Sequence, residues 1–318
     1  MKAFRIIQLV LFMGLPVLSE AQDPEFTQTM GTPSYFNPAF CGIQQNLRVG
    51  LQYRDQWPNA PGSIISIAAS ADMGIPSINS GVGLMYMNDQ AADADLTTNT
   101  INAYYAYEVK LGPRSYLRFG INPSIFQRSV NSGQLVYGNQ INPQTGVIQG
   151  SNGGTVSTAF IPNMSAGALF YNNNFYAGLA AYNIFEPNES LVNGYATLPR
   201  KFVVQAGYYL SLGQIMFNPY VLAMDQGTFR QVLPGVNATL GLFTLGASFR
   251  QTDPNADAVN FLIGFAKGIF KVCYSYDLTV SDARAAATGS HELSLVVQLN
   301  KPCDTSDKPM IGHLRNSY

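Results

Sequence analysis

The 318-residue sequence is 47% hydrophobic and only 12% charged, and its formal net charge at pH 7 is −1. This balance excludes the basic surplus typical of nucleic-acid-binding proteins and the high net charge of disordered chains. The counts of 29 Gly, 18 Tyr and 19 Phe are typical of glycine- and aromatic-rich β-structure rather than of a helical enzyme.

Residues 1–21 have the pattern of a secretory signal peptide. Lys2 and Arg5 precede the apolar run 6–18, and the small side chain of Ala21 stands where signal peptidase cleaves. The sequence therefore predicts that this segment is removed and that the mature chain is exported.

Residues 22–45 are predicted to form a lead segment in the periplasm. Pro24, Pro33 and Pro38 interrupt any helix, and the Asn-Pro pair at Asn37 favours a turn. We expect an extended chain, punctuated by turns, that leads into the first strand.

From residue 46 onward, apolar and polar side chains alternate, which puts them on opposite faces of a strand. In the first segment the apolar phase consists of Leu47, Val49, Leu51 and Tyr53. The polar phase consists of Arg48, Gly50, Gln52 and Arg54. In a soluble sheet the apolar face would cover a core, whereas in a membrane barrel it would face lipid.

About fourteen such segments of roughly ten residues occupy 46–300, an even number as in bacterial membrane barrels. No apolar run after the N-terminus is long enough for a membrane helix, so a membrane-spanning structure would have to be a closed barrel. The segments predict an all-β fold, a transmembrane antiparallel up-and-down β-barrel of about 14 strands after the cleaved signal peptide.

The connections between segments alternate in length, and membrane barrels have short periplasmic turns and long outer loops. The predicted short connections are 74–79, 110–114, 172–174, 211–214, 241 and 267–268. The predicted longer ones are 57–62, 88–95, 128–158, 184–199, 225–230, 251–258 and 278–289. With the N-terminus taken as periplasmic, the short connections lie in the periplasm, together with the C-terminus and a tail, 301–318; the alternative fold is a secreted array of β-sandwiches.

Charged side chains fall on the polar phase of their segments, because a charge facing lipid at mid-depth costs about 2–4 kcal/mol for Arg or Lys. The predicted lumen charges are Arg48, Glu108, Arg118, Arg250 and Lys271. They form either a paired network that fills a narrow lumen, which we favour, or a selective pore or docking surface. A filled lumen predicts a small conductance.

Other chemistry is sparse in the sequence, and we expect no enzyme activity, no cofactor and no metal. Asp89, Asp93 and Asp95 could hold Ca²⁺, but the loop lacks the glycine and final glutamate of an EF-hand, so a solvated acidic loop is favoured. His291 stands beside Glu292, and no serine partner for catalysis is evident. A rim hydrogen bond is the favoured role for this histidine.

Several short motifs together resemble the PorP/SprF family across about 22–299. The residues that carry the resemblance are Asp23, Pro24, Phe26, Gln28, Asn37, Pro38, Gly42, Tyr53, Arg54, Gln56, Trp57, Tyr274, Tyr276, Asp277, Gly289, His291 and Glu292, together with the strand 175–179. The sequence departs from the family at Cys41, where Ala is usual, at Thr27, where Ser is usual, and in the polar insert 131–155.

The resemblance implies a non-enzymatic outer-membrane barrel of the type IX secretion and gliding system. The implied partners are outer-membrane lipid and either a secreted adhesin-like surface protein with a C-terminal secretion signal or periplasmic secretion-system and peptidoglycan-binding components; no nucleic acid is implied. Recognition would then use the loops 128–158 and 184–199 outside, and the lead and the tail inside. The alternative function is a small-solute porin or transporter.

Three cysteines lie in a chain predicted to enter an oxidising compartment. Cys41 precedes the first strand and Cys303 follows the last, and closure of a barrel would bring these two strands together. We therefore predict a disulfide between Cys41 and Cys303. Cys273 is expected to be a small buried residue.

Overall fold

The computed structural model describes residues 25–58, 60, 63–91, 96–131, 141–148, 155–191, 194–253, 257–281 and 289–299. The predicted signal peptide and the predicted C-terminal tail lie outside these residues. Within the described part of the chain, no helix has the length and apolar character needed to cross a membrane.

Sixteen strands and three short helical turns make up the described structure. The strands are β1 (Arg48–Gln56), β2 (Ile64–Ile75), β3 (Ser80–Ala91), β4 (Leu96–Gly112), β5 (Ser115–Asn131), β6 (Thr155–Ser157), β7 (Ile161–Tyr171), β8 (Phe175–Tyr182), β9 (Lys201–Tyr208), β10 (Leu210–Leu212), β11 (Ile215–Gln226), β12 (Phe229–Leu240), β13 (Phe243–Asp253), β14 (Ala258–Lys267), β15 (Phe270–Thr279) and β16 (Ser290–Gln298). The helical turns are α1 (Pro33–Phe36), η1 (Pro38–Phe40) and η2 (Pro76–Ile78).

The strands form one closed antiparallel ring. Consecutive strands pair with each other, and β1 also pairs with β16 over nine residues. β9 and β10 flank Tyr209 and together form one span that pairs with β11. β6 only extends the pairing of β5 beyond the ring. The prediction of an antiparallel up-and-down barrel of about 14 strands is therefore confirmed, and a sandwich with free edges is excluded.

The wall of the barrel exposes apolar side chains and buries polar ones. Leu51, Leu84 and Phe119 on the outside are 50%, 61% and 51% exposed, whereas Arg54 and Glu292 on the inside are each 1% exposed. This inverse of a soluble core is the distribution that lipid requires, since an outward Arg would cost about 2–4 kcal/mol at mid-depth.

The two ends of the barrel differ in their connections. We call the end that holds 76–79, 113–114, 172–174, 213–214, 241–242 and 268–269 the short-turn end. Four of its turns consist of two residues, and three of these begin with a glycine at positive φ, which is the pattern of a type II′ hairpin turn. These glycines are Gly213, Gly241 and Gly268.

The strands that meet at the opposite end, the long-loop end, are separated in the sequence by 57–63, 92–95, 132–160, 183–200, 227–228, 254–257 and 280–289. One prediction is wrong here: 225–230 was expected to be a longer loop. β11 and β12 continue to Gln226 and Phe229, because Gly227 at φ +58° allows a two-residue turn.

Residues 25–47 lie inside the ring of strands, and we call them the luminal plug. The predicted lead was expected to be an extended periplasmic chain; its described part is instead almost entirely buried and partly helical. Pro33 and Pro38 begin α1 and η1, because proline fits the first position of a helical turn. The Asn37 side chain caps η1 by accepting from the Ala39 N–H at 2.9 Å.

Candidate functional site: the luminal plug and its seat

The start of the luminal plug is bound by one carboxylate of the wall. The backbone N–H groups of Thr27 and Gln28 donate to Glu292 Oε2 and Oε1 at 2.7 and 3.0 Å. The Gln28 side chain also donates to the Glu292 backbone carbonyl at 3.0 Å. Both oxygens of a fully buried carboxylate are thus used to hold the plug backbone, and hydrogen bonds to a charged acceptor are among the stronger ones.

Two arginines and a second carboxylate surround this contact. Arg54 lies 2.7 Å from Asp277 and 3.1 Å from Glu292. Arg250 contacts the same Asp277 oxygen at 2.8 Å, and Thr27 donates to that oxygen at 2.8 Å. We call Thr27, Gln28, Arg54, Arg250, Asp277 and Glu292 the luminal lock.

The luminal lock lies inside the barrel, where removal of one partner would leave a buried charge uncompensated. Its four charged side chains are each no more than 7% exposed. Two positive and two negative charges balance within the cluster. The arrangement fits a structural clasp better than an ion pathway, because the charged groups contact one another.

The middle of the plug is held by a polar side chain of its own. Asn37 Nδ2 donates to the backbone carbonyls of Ala168 and Leu179 at 3.0 and 3.3 Å. The amide therefore spans two neighbouring strands of the wall, β7 and β8.

The end of the plug is held by wall charges. Arg118 donates to the carbonyls of Ala39 and Cys41 at 2.9 and 2.6 Å and pairs with Glu108 at 3.0 Å. The Gly42 N–H donates to Asp72, at 2.9 Å.

The predicted lumen charges therefore lie on the inner face of the barrel, and most of them contact the plug. Arg48 pairs with Asp72 at 3.4 Å and donates to the carbonyl of Met30 at 3.1 Å. Lys271 is buried on the inner face of β15. The paired, filled lumen is the interpretation that these contacts favour over an open pore.

The plug crosses the lumen from one end to the other. Glu25 lies 3.5 Å from Arg250, near the end of β13 that meets the long-loop end. Gly42 and Gln45 instead pack against Gly74, beside the turn 76–79 at the short-turn end. The chain then enters β1 at that end.

Glycines on the inner wall make room for the plug. A Cβ added to Gly120 would lie 2.3 Å from both Ala39 N and the Pro38 carbonyl carbon. One added to Gly81 would lie 2.2 Å from the Cys41 carbonyl oxygen. Sequence reasoning missed the plug, although glycine in a strand interior marks a close backbone approach.

The Gly120→Ala variant is expected to force the plug backbone away from β5 and to destabilise the protein by roughly 1–3 kcal/mol. The matched control is Gly112→Ala, whose new Cβ would meet only Ser115 Cβ, at 3.9 Å. Denaturant unfolding in detergent micelles and limited proteolysis within 25–47 measure the effect. Equal stability and equal proteolysis of the two variants would contradict this role.

The motif residues on the outer face form a rim cluster. Tyr274 Oη lies 2.8 Å from His291 Nδ1, and the Tyr276 ring centroid lies 5.0 Å from that of His291. Trp57, at φ +56°, donates its backbone N–H to the Gly289 carbonyl at 3.0 Å. The hydrogen bond favoured for His291 is therefore present.

The remaining motif side chains of this region divide between the two faces. Tyr53 lies on the outside, Gln56 lies at the end of β1, and Glu292 faces inward, away from its neighbour His291. Since adjacent residues of a strand point to opposite faces, His291 and Glu292 do not share a site.

Some predicted residues cannot be placed. Asp23, Pro24, Asp93, Asp95 and Cys303 lie outside the described residues. Among the residues that the structure describes, no group of three or more His, Cys, Asp or Glu side chains could hold a metal ion.

Cys41 is fully buried in the plug. Cys273 is also buried, as a free thiol. The Cys41–Cys303 disulfide stays a prediction; non-reducing mass spectrometry that finds both thiols free would contradict it.

A closed ring with an apolar exterior, paired charges inside and sorted turns defines the class of outer-membrane β-barrel proteins. The family model described as type IX secretion system membrane protein PorP/SprF matches residues 18–297. The chain belongs to this family.

Solved structures support the fold. The toluene transporter TbuX of Ralstonia pickettii is similar with a TM-score of 0.55 at 9% identity, over 86% of this chain and 94% of that chain. The deltaS2S3 mutant of the monoaromatic hydrocarbon channel TodX has a TM-score of 0.50 at 8% identity, over 86% and 94%. A comparison with curated protein sequences gives no match.

Proposed function

We propose that this protein is a non-enzymatic outer-membrane component of the type IX secretion system that anchors a secreted, adhesin-like protein at the cell surface. The observation that carries the proposal is the occupied lumen: the plug is bound along its length, so the barrel offers surfaces rather than a channel. Membership of the PorP/SprF family indicates the secretion system, and the long-loop end is the proposed binding surface for the secreted protein.

The proposed orientation puts the short-turn end in the periplasm and the long-loop end outside the cell. The Leu299 N–H donates to the Leu47 carbonyl at 3.0 Å, so the last described residue lies at the short-turn end. The C-terminal tail would then begin in the periplasm, where it could contact secretion-ring or peptidoglycan-binding components. Glu25 lies near the opposite end, so a periplasmic N-terminus is not part of this proposal.

One hairpin at the long-loop end has the character of a protein contact. Ile141 and Ile148 form an isolated bridge, and Ile141, Val147 and Ile148 are 42%, 55% and 56% exposed. The segment lies between β5 and β6, which extend beyond the ring, so lipid does not explain its apolar side chains. Exposed apolar clusters on polar loops are typical of interaction sites.

The anchoring role is tested by cross-linking intact cells with a membrane-impermeant reagent and purifying the C-terminally tagged protein. The expected product is a secreted protein carrying a C-terminal secretion signal. The double variant Val147→Ser with Ile148→Ser is expected to lower its recovery by about tenfold, because truncated apolar anchors lose most of their contact energy. The control is Gln144→Ser with Thr145→Ser in the same hairpin.

If only periplasmic secretion components are recovered, the anchoring role would be rejected. The protein would instead couple the barrel to those periplasmic components. Equal recovery of the secreted protein with both loop variants would remove the hairpin from the proposed contact.

A small-solute transporter is the second candidate, because the similar solved barrels are named as a toluene transporter and a hydrocarbon channel. Their identity to this chain is below 10%, so the likeness supports the fold alone. The plug opposes free passage through the lumen. Conductance measurements separate the two candidates.

A further inference from the structure

A cavity of about 110 Å³ lies in the lumen beside the plug, toward the long-loop end. Its wall comes from β3, β4, β5, β7, β8 and β9, and Tyr35 of the plug forms one side. Asp89, Thr98 and Arg128, which line it near the strand ends, are partly exposed. The cavity therefore communicates with water at this end of the barrel.

Amide side chains dominate its polar surface. Asn163 Nδ2 donates to Asn183 Oδ1 at 2.8 Å, and the side chains of Asn102 and Asn122 approach to 3.1 Å. Three of these asparagines lie on the adjacent strands β4, β5 and β7, and Asn183 directly follows β8. All four line the cavity. An amide presents both donors and acceptors, so such a wall matches a ligand that also presents both.

Aromatic side chains supply flat apolar surface beside the amides. Tyr35, Tyr182 and Phe126 line the cavity, and Tyr182 Oη donates to the Tyr35 carbonyl at 2.7 Å. This hydrogen bond ties the plug backbone to the wall and positions the Tyr182 ring.

The charged groups of the cavity balance one another. Arg128 forms an ion pair with Glu189, and Asp89 accepts from the Ser66 hydroxyl. The Lys201 ammonium lies 5.4 and 5.0 Å from the ring centroids of Tyr35 and Tyr182, within cation–π distance. The cavity has no excess of either charge that would attract a ligand of the opposite charge, so it favours a neutral ligand.

An extended peptide would find no strand to join. Each wall strand of the closed ring already pairs on both sides, and peptide recognition by strand addition needs a free edge. The volume corresponds to roughly seven to eleven water-sized groups, at about 10–15 Å³ each. One sugar ring has this size.

We propose that the cavity binds one neutral sugar unit, as a free monosaccharide or as the terminal unit of a surface glycan. The amides hydrogen-bond its hydroxyl groups, and an aromatic ring packs on its apolar face. This site goes beyond the anchoring role, and failure of either proposal leaves the other standing.

The test uses the full mature chain in lipid nanodiscs, since detergents with sugar headgroups would occupy such a site. Saturation-transfer difference NMR and calorimetry measure binding of glucose, galactose and N-acetylglucosamine, with glucuronic acid as the charged probe. Saturable binding of at least one neutral sugar, stronger than that of glucuronic acid, is expected. A glycan array distinguishes the sources: glycan binding that the free sugar displaces identifies a terminal unit, and binding of free sugar alone identifies the monosaccharide.

Three variants address the cavity in different ways. Asn163→Ala removes an amide, Ser124→Phe fills space, and Thr100→Val removes a hydroxyl with little change in volume. Each is expected to lower the affinity at least tenfold, whereas the control Asn237→Ala, on the inner face of β12 and away from the cavity, leaves it unchanged. Circular dichroism and heat-modifiable gel migration verify folding of each variant.

The proposal is overturned if no neutral sugar binds saturably. It is also overturned if a folded Ser124→Phe protein binds as well as the parent, or if a peptide binds the cavity in preference to every sugar.

Discussion

Replacement of Arg54 by methionine is expected to lower the free energy of unfolding by about 3–5 kcal/mol, the usual cost of removing one partner from a buried ion pair. Arg54 is 1% exposed and contacts both Asp277 and Glu292. Methionine keeps much of the side-chain volume, so the loss reports the charge. The two carboxylates, Asp277 and Glu292, then carry more negative charge than Arg250 alone can balance.

The matched control is Arg230→Met. Arg230 pairs with Asp225 at 3.6 Å, but the two side chains are 71% and 55% exposed, so a change of only about 0–1 kcal/mol is expected. Denaturant unfolding in detergent micelles measures both variants. Indistinguishable losses would show that the luminal lock contributes little to stability.

A second substitution sharpens the interpretation. Glu292→Gln alone replaces one of the two carboxylate oxygens that accept the plug N–H groups by an amide NH2, and it removes one ion-pair partner of Arg54, so it should also destabilise the protein. Combined with Arg54→Met, it leaves Arg250 and Asp277 as a balanced pair. The double variant is therefore expected to lose less than the sum of the single losses, because the two residues belong to one network.

The barrel could be predicted because its determinants are local. Alternation such as that from Leu47 to Arg54 repeats every two residues, and lipid outside with a polar lumen inside requires that period in every span. The short turns were visible for the same reason, since Gly213 and Gly241 sit between two alternating runs. The β11–β12 turn was misjudged because Gly227 was counted within a longer polar stretch.

The plug could not be predicted from such patterns. Residues 25–47 have no strand or helix period, and their partners are distant in sequence: Thr27 contacts Glu292, 265 positions later. The motifs around Arg54, Asp277 and Glu292 indicated a family, yet no spacing rule indicates that they meet around Thr27. Inward glycines such as Gly120 were the available signal, because a lumen filled only by side chains would not need them.

Removal of the plug is expected to convert an almost closed barrel into a channel. The intact protein should show only small conductance in planar bilayers, since the plug is bound at its start by Glu292, in its middle by Asn37 and at its end by Arg118. Deletion of residues 25–45 should raise the single-channel conductance by about tenfold or more, because barrels of this strand number enclose an aqueous space unless something fills it.

The deletion variant should still form the ring, because water can solvate Arg54, Asp277 and Glu292 once the lumen is open. Circular dichroism and heat-modifiable migration verify this, and Gly120→Ala, which keeps the plug but displaces it, should give an intermediate, fluctuating conductance. Gly112→Ala is the control and should conduct as weakly as the intact protein. A large stable conductance of the intact protein would favour the transporter over the anchor, whereas a folded deletion variant without conductance would show that something other than the plug closes the lumen.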